Sequence, residues 1–264
     1  MNTVSTVSIA GMAASLVLCL GLPAALCILL KRRTGAKLTD MLLGAVTFVL
    51  SALVLEQLLH LAVNALFGEA LANNLWLYAL YGGAAAAVFE ECGRLAAMKC
   101  FLKKRLTKQS ALMYGVGHGG IEAVLIGGVS CISNLSTAIT INSGALETAL
   151  TGLDEAARAS TMAAVSQLCT LPSYTFYLVG VERLLALALQ LCLSYLVYRA
   201  VRYRRRGFFA AALGIHFAVD AGVVILSGFL PTLAVEAFLA AAIAAIVFFT
   251  VRTYRAETES AAAG

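Results

Sequence analysis

Three short segments of the sequence combine histidines, acids and an arginine in patterns that could activate a water molecule. The segments read VFEECGR, GVGHGGIEA and GIHFAVD, and their ionisable residues are Glu90, Glu91, Arg94, His118, Glu122, His216 and Asp220. Residues four apart share a helix face, so His118 is expected beside Glu122 and His216 beside Asp220. Imidazoles with a carboxylate are common zinc ligands, and another carboxylate can act as general base on the water.

The adjacent glutamates are expected to divide two tasks. Glu90 and Glu91 cannot point in one direction on a helix, and Arg94 lies within one turn of both. We predict that one glutamate is structural and bound to Arg94, while the other is catalytic. The spacing leaves open which is which.

The candidates divide into two sets. The candidate catalytic residues are Glu90, Glu91, Arg94 and His118. The candidate ligands for Zn²⁺ are His118, His216, Asp220 and Glu122. Glu122 could be a fourth ligand or a partner that orients His118.

The composition places these segments in a membrane. Of 264 residues, 61% are hydrophobic and 12% are charged, whereas soluble domains carry about 25% charged residues. This excludes an ordinary soluble enzyme, a disordered chain and a basic nucleic-acid-binding protein. We therefore predict an all-α, polytopic membrane helix bundle.

Seven stretches are apolar and long enough to cross a bilayer as helices. They are residues 7–30, 41–67, 75–102, 111–132, 177–201, 208–230 and 234–251. Lysines and arginines cluster after the first, third, fifth and seventh of them. Because cytosolic loops are enriched in positive charge, we predict an outside N-terminus and a cytosolic C-terminus. The first stretch lacks the basic n-region of a signal peptide and is expected to be retained as a helix. We expect a multi-pass protein of the cell membrane, in a bacterial plasma membrane.

The three segments are predicted to meet at one depth. His118 lies 10 residues after Lys108, His216 lies 10 after Arg206, and Glu91 lies 12 before Lys103. Ten to fourteen residues span about 15–21 Å of helix. Ionisable residues at membrane depth mark functional sites by default.

The whole chain, 1–264, is expected to form one integral membrane domain, with its motif-bearing core at about 75–230. Residues 133–173 read as an extracytoplasmic connector with one or two short amphipathic helices. Cys131 and Cys169 both fall near the outer face, where oxidising conditions would allow them to form a disulfide. Glu56 and His60, four apart, are expected to be structural and to hydrogen-bond each other or Asn64.

With EExxR, GxGHGGxE and HxxxD in this order, from about Phe89 to Asp220, the chain resembles the YhfC-type membrane metallopeptidases. Wider relatives are the CAAX prenyl-protease and bacteriocin-processing (CPBP) group and the PrsW proteases. Two residues separate Glu91 from Arg94, where the CAAX-protease pattern has three. The last motif ends in Asp220, where that pattern commonly has Asn. Both differences favour the YhfC branch.

The resemblance implies water activation by a glutamate, assisted by two histidines. It also implies an alternative role for His216 and Asp220, which is to stabilise an oxyanion. Glycines around His118, which are Gly115, Gly117, Gly119 and Gly120, would let a substrate backbone or another helix come close.

The sequence thus predicts an intramembrane metal-dependent peptidase that cleaves a membrane-associated protein or peptide. The alternative is a transporter or channel in which the buried cluster passes protons or metal ions. A third alternative is a catalytically inactive relative that serves as a scaffold. No nucleic-acid partner is expected.

Overall fold

The computed structural model describes residues 3–262, with side chains through Glu257, and this part of the chain is helical without strands. The helices are α1 (Thr6–Thr34), α2 (Leu38–Phe48), α3 (Glu56–Ala72), α4 (Leu75–Cys100), α5 (Lys108–Glu122), α6 (Val129–Asn142), α7 (Leu146–Ala149), α8 (Glu155–Thr170), α9 (Tyr174–Arg202), α10 (Arg206–Ser227) and α11 (Thr232–Ala262). Two π-helical segments, Val49–Leu55 and Ala123–Gly128, connect α2 to α3 and α5 to α6.

Within the described residues, six helical stretches are long and apolar enough to cross a membrane. They are Thr6–Thr34, Leu38–Ala72, Lys108–Asn142, Tyr174–Arg202, Arg206–Ser227 and Thr232–Glu257. The all-α, multi-pass prediction is confirmed. α4 has 26 residues, or about 39 Å of helix, and is not among the six. It carries Glu90, Glu91, Arg94 and Lys99. A total of seven spans therefore stays a prediction.

The chain divides into two compact units. The larger unit comprises Pro23–Ile121 and Leu185–Gly264, and the smaller comprises Met1–Leu22 and Glu122–Leu184. In the larger unit α4 packs directly on α10, because Gly83 has no side chain. A Cβ at Gly83 would lie 2.9 Å from the backbone nitrogen of Ala221.

The larger unit also joins α2 to α5 by backbone contact. A Cβ at Gly44 would lie 2.0 Å from the carbonyl oxygen of Tyr114, and one at Gly117 would lie 1.8 Å from that of Met41. Close approach of this kind is available only to glycine, and small residues are enriched where membrane helices pack. The contact fixes the part of α5 that carries His118.

The basic end of the larger unit is held by a carboxylate on α11. The hydroxyls of Tyr195, Tyr198 and Tyr203 donate to Glu257 at 2.5, 2.8 and 2.8 Å. The pKa of Tyr203, which lies between two membrane-crossing stretches, is raised by burial and by the Glu257 carboxylate. These bonds tie the ends of α9 and α11 together.

The smaller unit has its own apolar core around Met12, Ala138, Leu168 and Phe176. Ser15 on α1 donates its hydroxyl to the Phe176 carbonyl at 2.5 Å and accepts from the Gly180 amide at 2.9 Å. In the connector expected at residues 133–173, α6 continues as far as Asn142, and α7 and α8 follow. Cys131 and Cys169 are not joined by a disulfide.

Candidate functional site

Helices α4, α5 and α10 of the larger unit bring Glu90, Glu91, Arg94, His118 and His216 into one buried cluster. Residues from helices far apart in sequence meet here, as equal depth in the bilayer predicts. The cluster consists of two His–Glu pairs, and each pair joins α4 to another helix.

The first pair is Glu90 with His118. Glu90 Oε2 lies 2.8 Å from His118 Nε2, and it also accepts from Gln190 Nε2 on α9 at 3.1 Å. The His118 side chain is fully buried, edge-on to Phe48 and stacked on Tyr114. Its second nitrogen, Nδ1, has no hydrogen-bond partner among the described residues. A buried nitrogen without a partner is costly, so His118 retains unused capacity to bind a ligand.

The second pair is Glu91 with His216. Glu91 Oε1 lies 2.9 Å from His216 Nδ1 and 3.5 Å from Arg94 Nη2. The side chains of Glu91 and Arg94 are fully buried, so each charge depends on the other. Hydrogen bonding at Nδ1 fixes the orientation of the His216 ring and directs Nε2 to the other side.

His216 Nε2 faces Asp220 one turn further along α10. Asp220 Oδ2 lies 3.4 Å from that nitrogen, as the four-residue spacing predicts. The Asp220 side chain is 38% exposed, compared with 4% for His216. Of the three motif carboxylates in the larger unit, which are Glu90, Glu91 and Asp220, Asp220 therefore has the most exposed side chain.

Glu122 has a different environment, because it belongs to the smaller unit. Its Oε1 accepts from Arg183 Nη1 at 3.0 Å, and Arg183 also pairs with Glu182. The sequence predicted that Glu122 holds a metal or orients His118, and it gave no sign of this contact with Arg183.

Two polar residues on α9 were missed by sequence reasoning. Gln190 accepts from Arg94 through its backbone carbonyl at 3.1 Å and through its side-chain oxygen, and it also donates to Glu90. Ser194 accepts from Arg94 at 3.2 Å. Both are polar residues inside an apolar span and lie four residues apart, and this was the available signal.

The space beside the glycines around His118 is filled by other helical segments of the same unit. A Cβ at Gly115 would lie 2.8 Å from the Ser194 hydroxyl, and one at Gly119 would lie 2.8 Å from Gln190 Cβ. A Cβ at Gly120 would lie 2.9 Å from Pro23 Cβ. Of the two expectations, close approach by another helix is the one that this structure supports.

Among the described residues, no three His, Cys, Asp or Glu side chains converge closely enough to hold a metal ion. The donor types nevertheless fit a metal, since two imidazoles and several carboxylates share the cluster and His118 Nδ1 has no partner in the described part of the chain. The residues present therefore suit a metal ion by the chemistry of their donor atoms.

The fold and the cluster define a multi-pass integral membrane protein with ionisable residues buried among its helices. The profile of the family described as YhfC intramembrane metalloprotease matches residues 17–240, and the chain belongs to that family. It is 38% identical over 239 residues to the "Uncharacterized membrane protein YhfC" of Bacillus subtilis (strain 168). That alignment covers 89% of this chain and 92% of the relative. No solved structure matches.

Proposed function

We propose that this chain is a metal-dependent peptidase of the cell membrane that hydrolyses a peptide bond in a membrane-associated protein or peptide. The observation that carries the proposal is the buried contact of 2.8 Å between Glu90 Oε2 and His118 Nε2, beside the Glu91–His216 pair. Family membership supports the same reaction class.

Glu90 is the proposed general base. Its side chain is 9% exposed, whereas that of Glu91 is fully buried and held by Arg94 and His216. A water molecule can therefore reach Glu90 more readily. Glu90 would accept a proton as the water oxygen attacks the carbonyl carbon, and would return it to the amine nitrogen when the C–N bond breaks.

His118, His216 and Asp220 are the residues proposed to hold the metal, which we propose is zinc. When bound, zinc would lower the pKa of a water molecule and polarise the carbonyl. Glu91 acts through His216, whose ring it orients, and Arg94 neutralises Glu91. We leave Glu122 out of the ligand set because Arg183 already engages its carboxylate.

Metal content and cleavage together test this function. The wild type, purified without chelator, is expected to hold about one zinc per chain by elemental analysis. The double variant His118→Ala, His216→Ala is expected to lose the zinc. N-terminal peptide sequencing by mass spectrometry then compares membranes from cells that express wild type or Glu90→Gln. New N-termini should arise only with the wild type.

The Glu90→Gln variant is matched in shape, so equal expression controls for folding. Identical N-termini from wild type and variant would contradict the peptidase. Bound metal without cleavage would favour the transport alternative, and absence of metal would overturn the zinc mechanism.

A further inference from the structure

A second polar chain lies beside the cluster in the larger unit. It consists of Glu56 and His60 on α3 and Tyr81 on α4. His60 Nε2 lies 3.2 Å from Glu56 Oε1, which confirms the predicted Glu56–His60 bond. His60 Nδ1 lies 2.7 Å from the Tyr81 hydroxyl, a partner that the sequence analysis did not name.

The first π-helical segment turns this chain toward the site. The amide of Glu56 donates to the carbonyl of Ser51, an i→i+5 bond. Such a bond places Glu56 above Ser51, whose Cβ lies 3.1 Å from where a Cβ at Gly93 of α4 would be. In a regular helix the two residues would point about 140° apart. The π-helical segment therefore explains why a polar residue thought to be structural faces α4.

Glu56 lies close enough to the cluster for their charges to interact. Its carboxylate interacts electrostatically with Glu90, His216 and Asp220, and its side chain is 9% exposed. Side-chain exposure increases from Glu56 toward the beginning of α4, because the next residue of the polar chain, His60, is 26% exposed. Tyr81 lies nine residues before Glu90, or about 14 Å along the helix.

Burial increases in the opposite direction. Arg94 and Met98 of α4, and Leu102 just after its end, follow Glu90 toward the basic end, and all three are fully buried. Partly exposed ionisable side chains inside a membrane span are stable when they face a water-filled cavity. Asp220 and His60 satisfy this condition only if water reaches them.

We infer that Glu56, His60, Tyr81 and Asp220 line a hydrated inlet. It delivers water to the buried cluster from the end of the larger unit where α4 begins at Leu75. The inference rests on the proposed function in one respect, which is that hydrolysis consumes one water molecule for each bond cleaved.

Thiol labelling tests the inlet without any need for activity. Maleimides react with the thiolate, which forms in water and not in lipid. His60→Cys is compared with Leu61→Cys, its neighbour on α3, whose native side chain is 68% exposed on the apolar surface. A membrane-impermeant maleimide is added to either face of sealed vesicles, and the labelled peptides are quantified by mass spectrometry against the wild-type cysteines.

We expect His60→Cys to react at least about tenfold faster than Leu61→Cys, and from the face opposite the one that labels a Lys103→Cys reference. Equal rates, or labelling only from the Lys103 face, would overturn the inlet. Tyr81→Cys with its neighbour Leu80→Cys gives a second matched pair if the His60 variant misfolds. The labelling result does not depend on peptidase activity, so it would hold even if no cleavage were found. If the labelling excluded the inlet, metal content and cleavage would still test the proposed function.

Discussion

At the scale of single residues, the two adjacent glutamates have different surroundings. Glu91 is locked between Arg94 and His216, whereas Glu90 meets His118 and Gln190 and retains some exposure. The sequence predicted a division of tasks between them and left the assignment open. A rotation of about 100° between neighbours on a helix separates them, but only the positions of α5, α9 and α10 decide what each one meets.

The buried Glu91–Arg94 pair yields a stability prediction. Glu91→Gln removes one partner of a fully buried ion pair and leaves Arg94 uncompensated, which should cost about 3–5 kcal/mol. Thermal unfolding in detergent should show a clear decrease in Tm. The paired change Glu91→Gln, Arg94→Gln should recover part of the loss, and a double variant no better than the single one would contradict this account.

Gln190 yields a prediction about activity. It bonds to both Glu90 and Arg94, so Gln190→Leu should leave Glu90 less well held. We expect the cleavage rate to fall about 10–100-fold, the range typical for the loss of such supporting groups. The neighbouring change Leu191→Met serves as a control. Full activity in Gln190→Leu would mean that Gln190 only supports packing.

At the scale of the helices, two glycine contacts position His118. Gly44→Ala and Gly117→Ala would each drive a Cβ to within about 2 Å of a backbone oxygen on the partner helix. Because backbone cannot move aside locally, we expect loss of folded protein by size-exclusion chromatography in detergent. Gly214→Ala on α10, where no atom of the described residues lies within 4 Å of the new Cβ, is the matched control and should fold normally.

At the scale of the whole molecule, the basic residues predict the orientation in the membrane. A fluorescent protein fused after Arg255 should fluoresce, and alkaline phosphatase at the same position should be inactive, because basic loops stay in the cytosol. An active phosphatase would reverse the orientation. The same fusions made in the loop between α2–α3 and α4, at Asn73, should give the opposite result.

The sequence alone determined the class of protein and the residues of the cluster. Apolar runs separated by basic clusters require membrane helices, since a lipid-embedded backbone must satisfy its own hydrogen bonds. Costly ionisable residues at equal depth singled out Glu90, Glu91, His118, Glu122, His216 and Asp220. Glu122 was the exception, because it belongs to the smaller unit and pairs with Arg183 there.

Tertiary structure decided which of these residues pair and which other polar residues join them. Gln190 and Ser194 engage Arg94 because α9 packs against α4 at that level. Glu56 faces the site because a π-helical segment changes the phase of its helix, and Glu122 meets Arg183 in the smaller unit. Periodicity in a sequence assumes a regular helix and describes one helix at a time, so neither the changed phase nor the choice of neighbour can be read from it.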